Sequence, residues 1–196
     1  FQTFAGSFDM PLGKFAVGGQ LMDYTAGTGN YNVFSFLASG SYDLILDKEK
    51  EYHHISLGAQ LGFMQKSIQF SKLTWDEQYS YSNGGYFDTS VPSGETMGDE
   101  GIFMPDANAG FIYYYAKDAI RVNPFIGYSA RHLTTPKESF YGTDNRLPIH
   151  HTIHGGVRFS VNEKLQLLPK FLLMRQTNAR EFTFSIHGHY YLKDQD

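Results

Sequence analysis

The chain has 196 residues, with 17 Phe, 14 Tyr and 20 Gly but a single Trp and no Cys, and a formal net charge of −4. That length suits one domain; the lack of Cys excludes disulfide scaffolds, thiolate metal sites and a Cys nucleophile, and the slight acidity leaves no electrostatic footprint for nucleic acid. No run approaches the roughly 18 apolar residues of a transmembrane helix, while a mean hydropathy below zero stays compatible with barrel strands, which are apolar on one face only.

The first stretch, FQTFAGSFDM, sets Phe4, Phe8 and Met10 against Thr3, Ser7 and Asp9. After the turn PLGK, Phe15, Val17 and Leu21 oppose Ala16, Gly18 and Gln20. TAGTGN leads into NVFSFLASGSYDLIL, where Phe34, Phe36, Ala38, Gly40, Tyr42, Leu44 and Leu46 share one face and Ser35, Ser39, Ser41 and Asp43 the other. The charged turn DKEKE precedes Ile55, Leu57, Ala59, Leu61 and Phe63, which oppose Ser56, Gly58, Gln60 and Gly62. A long polar segment, 71–105, carries the only Trp and the Gly-rich patches SNGG and PSGETMGDEG.

Alternation then resumes. Ala107, Ala109, Phe111, Tyr113 and Tyr115 oppose Asn108 and Gly110, and a Lys117-Asp118 turn follows. Ile126, Tyr128 and Ala130 oppose Gly127 and Ser129. Beyond a loop at 133–148, Ile153, Val157, Phe159 and Val161 oppose His154, Arg158 and Ser160. After the turn Asn162-Glu163-Lys164, Leu167, Phe171 and Leu173 face away from Gln166 and Lys170. RQTNA reads as a loop, and Phe184, Ile186 and Tyr190 alternate with Ser185, His187 and His189 before a turn-like KDQD.

A period of two is the signature of strands with one apolar face. Alternation alone does not separate a soluble sandwich from a membrane barrel. Strands of about a dozen residues exceed the 5–6 usual in sandwiches and cover the roughly 9–11 of a barrel crossing. Short turns (PLGK, DKEKE, Lys117-Asp118, Asn162-Glu163-Lys164) alternate with connections that are mostly longer, as in outer-membrane barrels. The expectation is an all-β protein: one antiparallel up-and-down transmembrane β-barrel domain over 1–196. Tyr24, Tyr31, Tyr52, Phe70, Tyr113–Tyr115, Tyr190 and Tyr191 at strand ends read as interfacial girdles. Nine strands are an odd number, and an open edge in lipid is not viable, so further strands or a partner are expected to complete the sheet. Both ends read as cut, since the chain opens inside a strand.

Candidate chemistry is sparse. His150, His151 and His154 form H-H-x-x-H, and His187 and His189 share a strand face, but no carboxylate or Cys completes a ligand set, so polar lumen and rim histidines are the expectation and no metal is assigned. Glu181, Ser185 and His187 lie close in sequence, yet no G-x-S-x-G elbow is present and no catalytic residue is assigned. Asp99, Glu100 and Asp106 lack the spacing of a calcium loop and read as a solvated loop; GETMGDEG lacks G-K-[ST] and is no phosphate loop. The 71–105 segment is the best functional candidate, because long loops are usually functional. Trp75, Tyr79, Tyr81, Tyr86, Phe87 and Phe103 are residue types that anchor interfaces, with packing over the chain's own barrel mouth as the other reading.

Several strings stand together: QTFAGSFDMPLGKFAVGGQLMDYTAG, SLGAQLGFMQKSIQFSKLTW, PDANAGFIYYYAKD, PFIGYSARHL and HHTIHGGVRFSVNEKLQLLPKFLL, with Asn162, Glu163, Lys164, Leu165, Leu167 and Pro169 as the sharpest element. In this order they resemble the PorP/SprF family of Bacteroidota outer-membrane proteins, associated with type IX secretion and gliding motility. The resemblance covers nearly the whole chain. It implies a larger barrel of about 14 strands, preceded by a signal peptide and an Asn-Pro-rich segment that this chain lacks, and Arg131 stands where the family pattern has Pro. It also implies a non-enzymatic protein of the bacterial outer membrane, without cofactor. The implied partners are outer-membrane lipid, the type IX translocon or motility proteins, and a secreted surface cargo such as an adhesin. A passive porin is the alternative reading, with Lys170, Arg158 and Gln60 lining a lumen; a barrel lipid hydrolase is a remoter one.

Overall fold

The structure, a computed structural model, describes residues 1–192 apart from 48, 50, 96, 97, 99 and 118–120. Asp99, the Asp118 half of the expected turn, and KDQD lie outside the described residues. Among the described residues nine long strands carry the architecture: β1 (Gln2–Leu12), β2 (Phe15–Ala26), β3 (Tyr31–Ile45), β4 (His53–Ser67), β7 (Gly101–Tyr115), β8 (Val122–Arg131), β9 (His150–Ser160), β10 (Leu165–Gln176) and β11 (Ala179–Tyr190). Two short ones, β5 (Tyr79–Ser80) and β6 (Tyr86–Phe87), form a separate hairpin in the β4–β7 connection. The nine pair in chain order, β1-β2-β3-β4-β7-β8-β9-β10-β11, every neighbour antiparallel. β1 and β11 are the two edges of this sheet and are not paired to each other among the described residues. Alternation over nine strands makes them run in the same direction.

The register places the apolar residues on one continuous face. Phe36 pairs with Phe63, Leu57 with Phe111, Tyr113 with Ile126, Tyr128 with Ile153 and Phe171 with Phe184. This face is uncovered: Leu61 is 67% exposed and Phe184 60%. Among the described residues few large apolar side chains are buried, namely Leu37, Phe70 and Met104, with the smaller Ala130 and Pro136; Gln78, Asp106, Asn108 and Asn123 are buried too. A protein stabilised in water would hide that face, since burying each large apolar side chain is worth about 1.5–3 kcal/mol. Exposure of large apolar side chains along this face is the inversion that lipid demands.

The height of the apolar face fits a bilayer. On β4 it runs from Ile55 to Phe63 between outward His53 and Gln65; on β10 from Leu165 to Leu173, capped by Arg175; on β11 from Phe182 to Tyr190, below Arg180. Such spans match the roughly 9–11 residues of a tilted barrel crossing, and the residues beyond them project past the apolar layer. Aromatic rings rim it. Tyr52, His53, Tyr113 and Tyr115 cluster at one end, with Tyr52 and Tyr115 6.0 Å apart and His53 and Tyr115 4.9 Å apart. Phe34, Phe63 and Phe103 contact one another in sequence at the other, at 5.9 and 5.1 Å. Several expected girdle residues differ: by register Tyr24, Tyr31 and Tyr114 face inward, Tyr191 donates inward to Gln166, and Phe70 is buried under a loop.

The inner face is small and polar. Asp43 accepts from Ser56 at 2.6 Å and pairs with His54 at 2.8 Å, with the Tyr114 hydroxyl at 3.3 Å; Asn108 donates to Gln60 at 3.1 Å. Glycines make room for rings on this face. The His154 ring lies over Gly127 and the Phe125 ring over Gly156, each pair directly opposite in the β8–β9 register. Connections sort by end. At the turn end lie 13–14, closed by Gly13 at φ +69, 46–52, 116–121 and 161–164. At the loop end lie 27–30, 68–100, 132–149 and 177–178. RQTNA is therefore no loop but a two-residue hairpin turn, so only two of the four loop-end connections are long.

Candidate functional site

The two long connections fold against each other over the loop end of the inner face. The first, 68–100, is not structureless: it leaves β4 by lying on the 27–30 turn. Gln69 N–H donates to the Gly29 carbonyl at 2.8 Å, Asn30 donates to the Gln69 side chain at 3.1 Å, and the Leu73 side chain fills the space that Gly29 leaves open. Phe70 is buried and meets Phe140 of the second loop edge-on at 6.4 Å. Buried Gln78 pins the base of the β5–β6 hairpin: its side-chain amide donates to Val91 O at 2.9 Å, and its carbonyl oxygen accepts from Trp75 N–H at 3.2 Å. Ser90 donates from both its hydroxyl and its amide to Asp88, holding that carboxyl below its usual range.

Above this base stands the hairpin itself, with Tyr79 opposite Phe87. Tyr79, Tyr81 and Phe87 form an edge-to-face cluster, Tyr79 lying 5.1 Å from Tyr81 and 5.2 Å from Phe87. Gly85, at φ +85, lets the Tyr79 ring pass close to the backbone where a side chain would collide with it. Tyr81 is 90% exposed, and Tyr79, Tyr86 and Phe87 are exposed as well. Of the six residues expected to bind a partner, these four gather at one tip; Trp75 lies half-buried in the base. Phe103 stands apart, on β7, facing outward and stacked on Phe63 at 5.1 Å in the aromatic rim.

The second connection, 132–149, turns inward at His132, whose φ is +59. Its first residues take over a part of β7 that β8 does not reach, since β8 pairs only with Ala109–Tyr114. Leu133 N–H donates to Ala107 O at 2.9 Å, and the Thr134 hydroxyl to Pro105 O at 2.8 Å. His132 donates its backbone N–H to the Asn108 side chain at 3.0 Å, and its Nδ1 lies 3.0 Å from Asp106 Oδ2. Lys66 pairs with Glu138 further along. Asp106, expected in a solvated loop, is instead a buried inward residue of β7, and among the described residues its Oδ1 has no hydrogen-bond partner. Beneath this loop, a cavity of about 560 Å³ is lined by Gln60, Asp106, Asn108, Arg131 and His132 among others. Partners such as Lys66 and Glu138, 72 residues apart, carry no local sequence signal.

The histidines do not converge. His150 faces inward and accepts from Arg131 at 2.6 Å, while His151 faces outward and bonds the Tyr128 hydroxyl at 2.8 Å. Among the described residues no group of three His, Cys, Asp or Glu side chains comes together. Ser185 and His187 share the inner face, but Ser185 lies opposite Lys170, and no hydrogen bond joins Ser185 to His187 among the described residues.

An up-and-down antiparallel sheet with an apolar outer face of bilayer height, aromatic rims and a polar inner face is the construction of a membrane β-barrel protein. The chain belongs to the PorP/SprF family, described as type IX secretion system membrane proteins, which matches residues 1–195. Neither a search of curated proteins nor one of solved structures returns a match.

Proposed function

We propose that this protein is a non-enzymatic outer-membrane barrel that docks secreted cargo or a surface adhesin for the type IX machinery, with the aromatic tip of 68–100 as the docking element. The observation that carries the reading is the pairing of an exposed Tyr79/Tyr81/Tyr86/Phe87 cluster with a hydrogen-bonded base. Rigid aromatic side chains give contact area at low entropic cost and dominate interface energetics. The short turns at the opposite end suit contact with periplasmic machinery, and the outward apolar face suits outer-membrane lipid.

The test is purification of the full-length protein from its native membrane in mild detergent, with mass spectrometry of what stays bound. Stoichiometric type IX components or a large surface protein are expected. The Y81S/F87S variant is expected to lose the surface protein by about tenfold or more while the barrel folds normally. The polar inner face supports a second reading, a passive channel. A lone barrel that conducts ions in planar bilayers and retains no partner would favour it and sink the docking reading.

A further inference from the structure

Three outward side chains at the loop end stand in one cross-strand row: His151 on β9 opposite Arg175 on β10, and Arg175 opposite Arg180 on β11. Two guanidiniums facing each other directly is an unfavourable arrangement for a sheet, where like charges at paired positions repel. The turn makes the approach close. In a two-residue hairpin the closing pair, here Gln176 and Ala179, is hydrogen-bonded, so the next pair, Arg175 and Arg180, falls at a narrow non-hydrogen-bonded position with Cα atoms about 4.5 Å apart. No carboxylate relieves them. Among the described residues neither arginine enters an ion pair. The neighbouring acid, Glu181, is on the other face by alternation and accepts from the Thr183 hydroxyl. Among the described residues Arg175 spends only its Nε–H, on the Thr177 carbonyl at 3.3 Å.

The depth of the row says what an anion there would be. Two residues further into the membrane on the same strands, Ile153, Leu173 and Phe182 are exposed members of the apolar face. A two-residue step along a strand is about 7 Å, so the guanidiniums stand just above the hydrocarbon, at headgroup level. Neighbouring strands lie about 4.8 Å apart, so the three side chains span about 10 Å. When the Tyr128 hydroxyl donates to His151 Nδ1, Nε2–H is left to donate to a bound anion. Guanidinium forks match phosphate bidentately.

We propose that His151, Arg175 and Arg180 bind the phosphate groups of a lipid headgroup on the loop-end surface of the membrane. The site rests on the outward apolar face and is independent of the docking reading.

The experiment uses full-chain protein reconstituted in phosphatidylcholine nanodiscs with and without bisphosphorylated lipid A, and native mass spectrometry of the released complexes. Retained lipid A is expected on the unmodified protein and about tenfold less on R175Q/R180Q. Arg180→Gln also gives a readout that a folding defect would not. It raises the thermal midpoint in neutral detergent, by removing repulsion, and lowers it relative to the unmodified protein in lipid A discs. Equal lipid retention by both proteins would overturn the proposal. So would a stability change of the same sign in both media, or competition by inorganic phosphate as effective as lipid A.

Discussion

At the scale of single residues, the inner face depends on side chains that are missing. Gly62, on β4, lies so close to β3 that a Cβ there would collide with the Phe36 carbonyl oxygen and sit 2.9 Å from Leu37 Cα, both backbone atoms that cannot swing away. Gly62→Ala is therefore expected to lower stability by about 1–3 kcal/mol through overpacking. Gly6, on β1, has nothing within 4 Å of the same position, and Gly6→Ala should be neutral or slightly stabilising. Urea unfolding in detergent distinguishes the two, and equal costs would show that the close approach at Gly62 is not felt. In the sequence Gly62 is only a small polar-face residue. Nothing in its neighbours announces contact with the Leu37 backbone opposite it, because register is a property of two strands.

At the scale of elements, the strands are legible in the sequence and the loops are not. Each long strand announces itself by a period of two, and the nine found by alternation are the nine of the main sheet. RQTNA misleads because polar residues mark a turn without giving its length; here Thr177 takes a positive φ, +50, and the hairpin closes in two residues. The 132–149 loop reads only as a gap between strands, since its fold rests on distant partners. Its anchorage at His132 gives a prediction. Among the described residues His132→Ala leaves Asp106 buried with both carboxylate oxygens unpartnered, a cost of about 1–3 kcal/mol. The loop should then open about tenfold more often, seen as faster proteolysis within 132–149 and a larger single-channel conductance in planar bilayers. Unchanged cleavage would mean that Lys66–Glu138 and the β7 hydrogen bonds hold the loop unaided.

At the scale of the whole molecule, the reversed distribution of apolar residues sets where each part stands in the bilayer. Trp75, the only Trp, lies in the loop base, above the apolar layer, whereas Leu61 projects from its middle. In vesicles of brominated lipid, Trp75 fluorescence is expected to be nearly unquenched. In the W75F/L61W variant the new indole should be quenched strongly. Similar quenching of both would contradict the assignment of the outward face to hydrocarbon. Strand length makes this assignment readable from the sequence, because a soluble sandwich and a membrane sheet share the alternating pattern and differ in how long it runs. The tip cluster is readable in part: four of its aromatic residues follow from composition alone, while Phe103 separates from them only because β7 begins at Gly101.

The common direction of β1 and β11 acts as a symmetry rule in a membrane. Copies inserted with the same polarity are related by rotation about the bilayer normal, and such a rotation never reverses a strand. Edge against edge, any two copies would therefore meet in parallel, whether β1 faces β1, β11 faces β11, or β1 faces β11. An antiparallel ladder between identical, co-oriented copies is forbidden by geometry, whatever the side chains. Antiparallel self-addition is thereby closed to the sheet, and an antiparallel neighbour at either edge must be a strand that travels the other way.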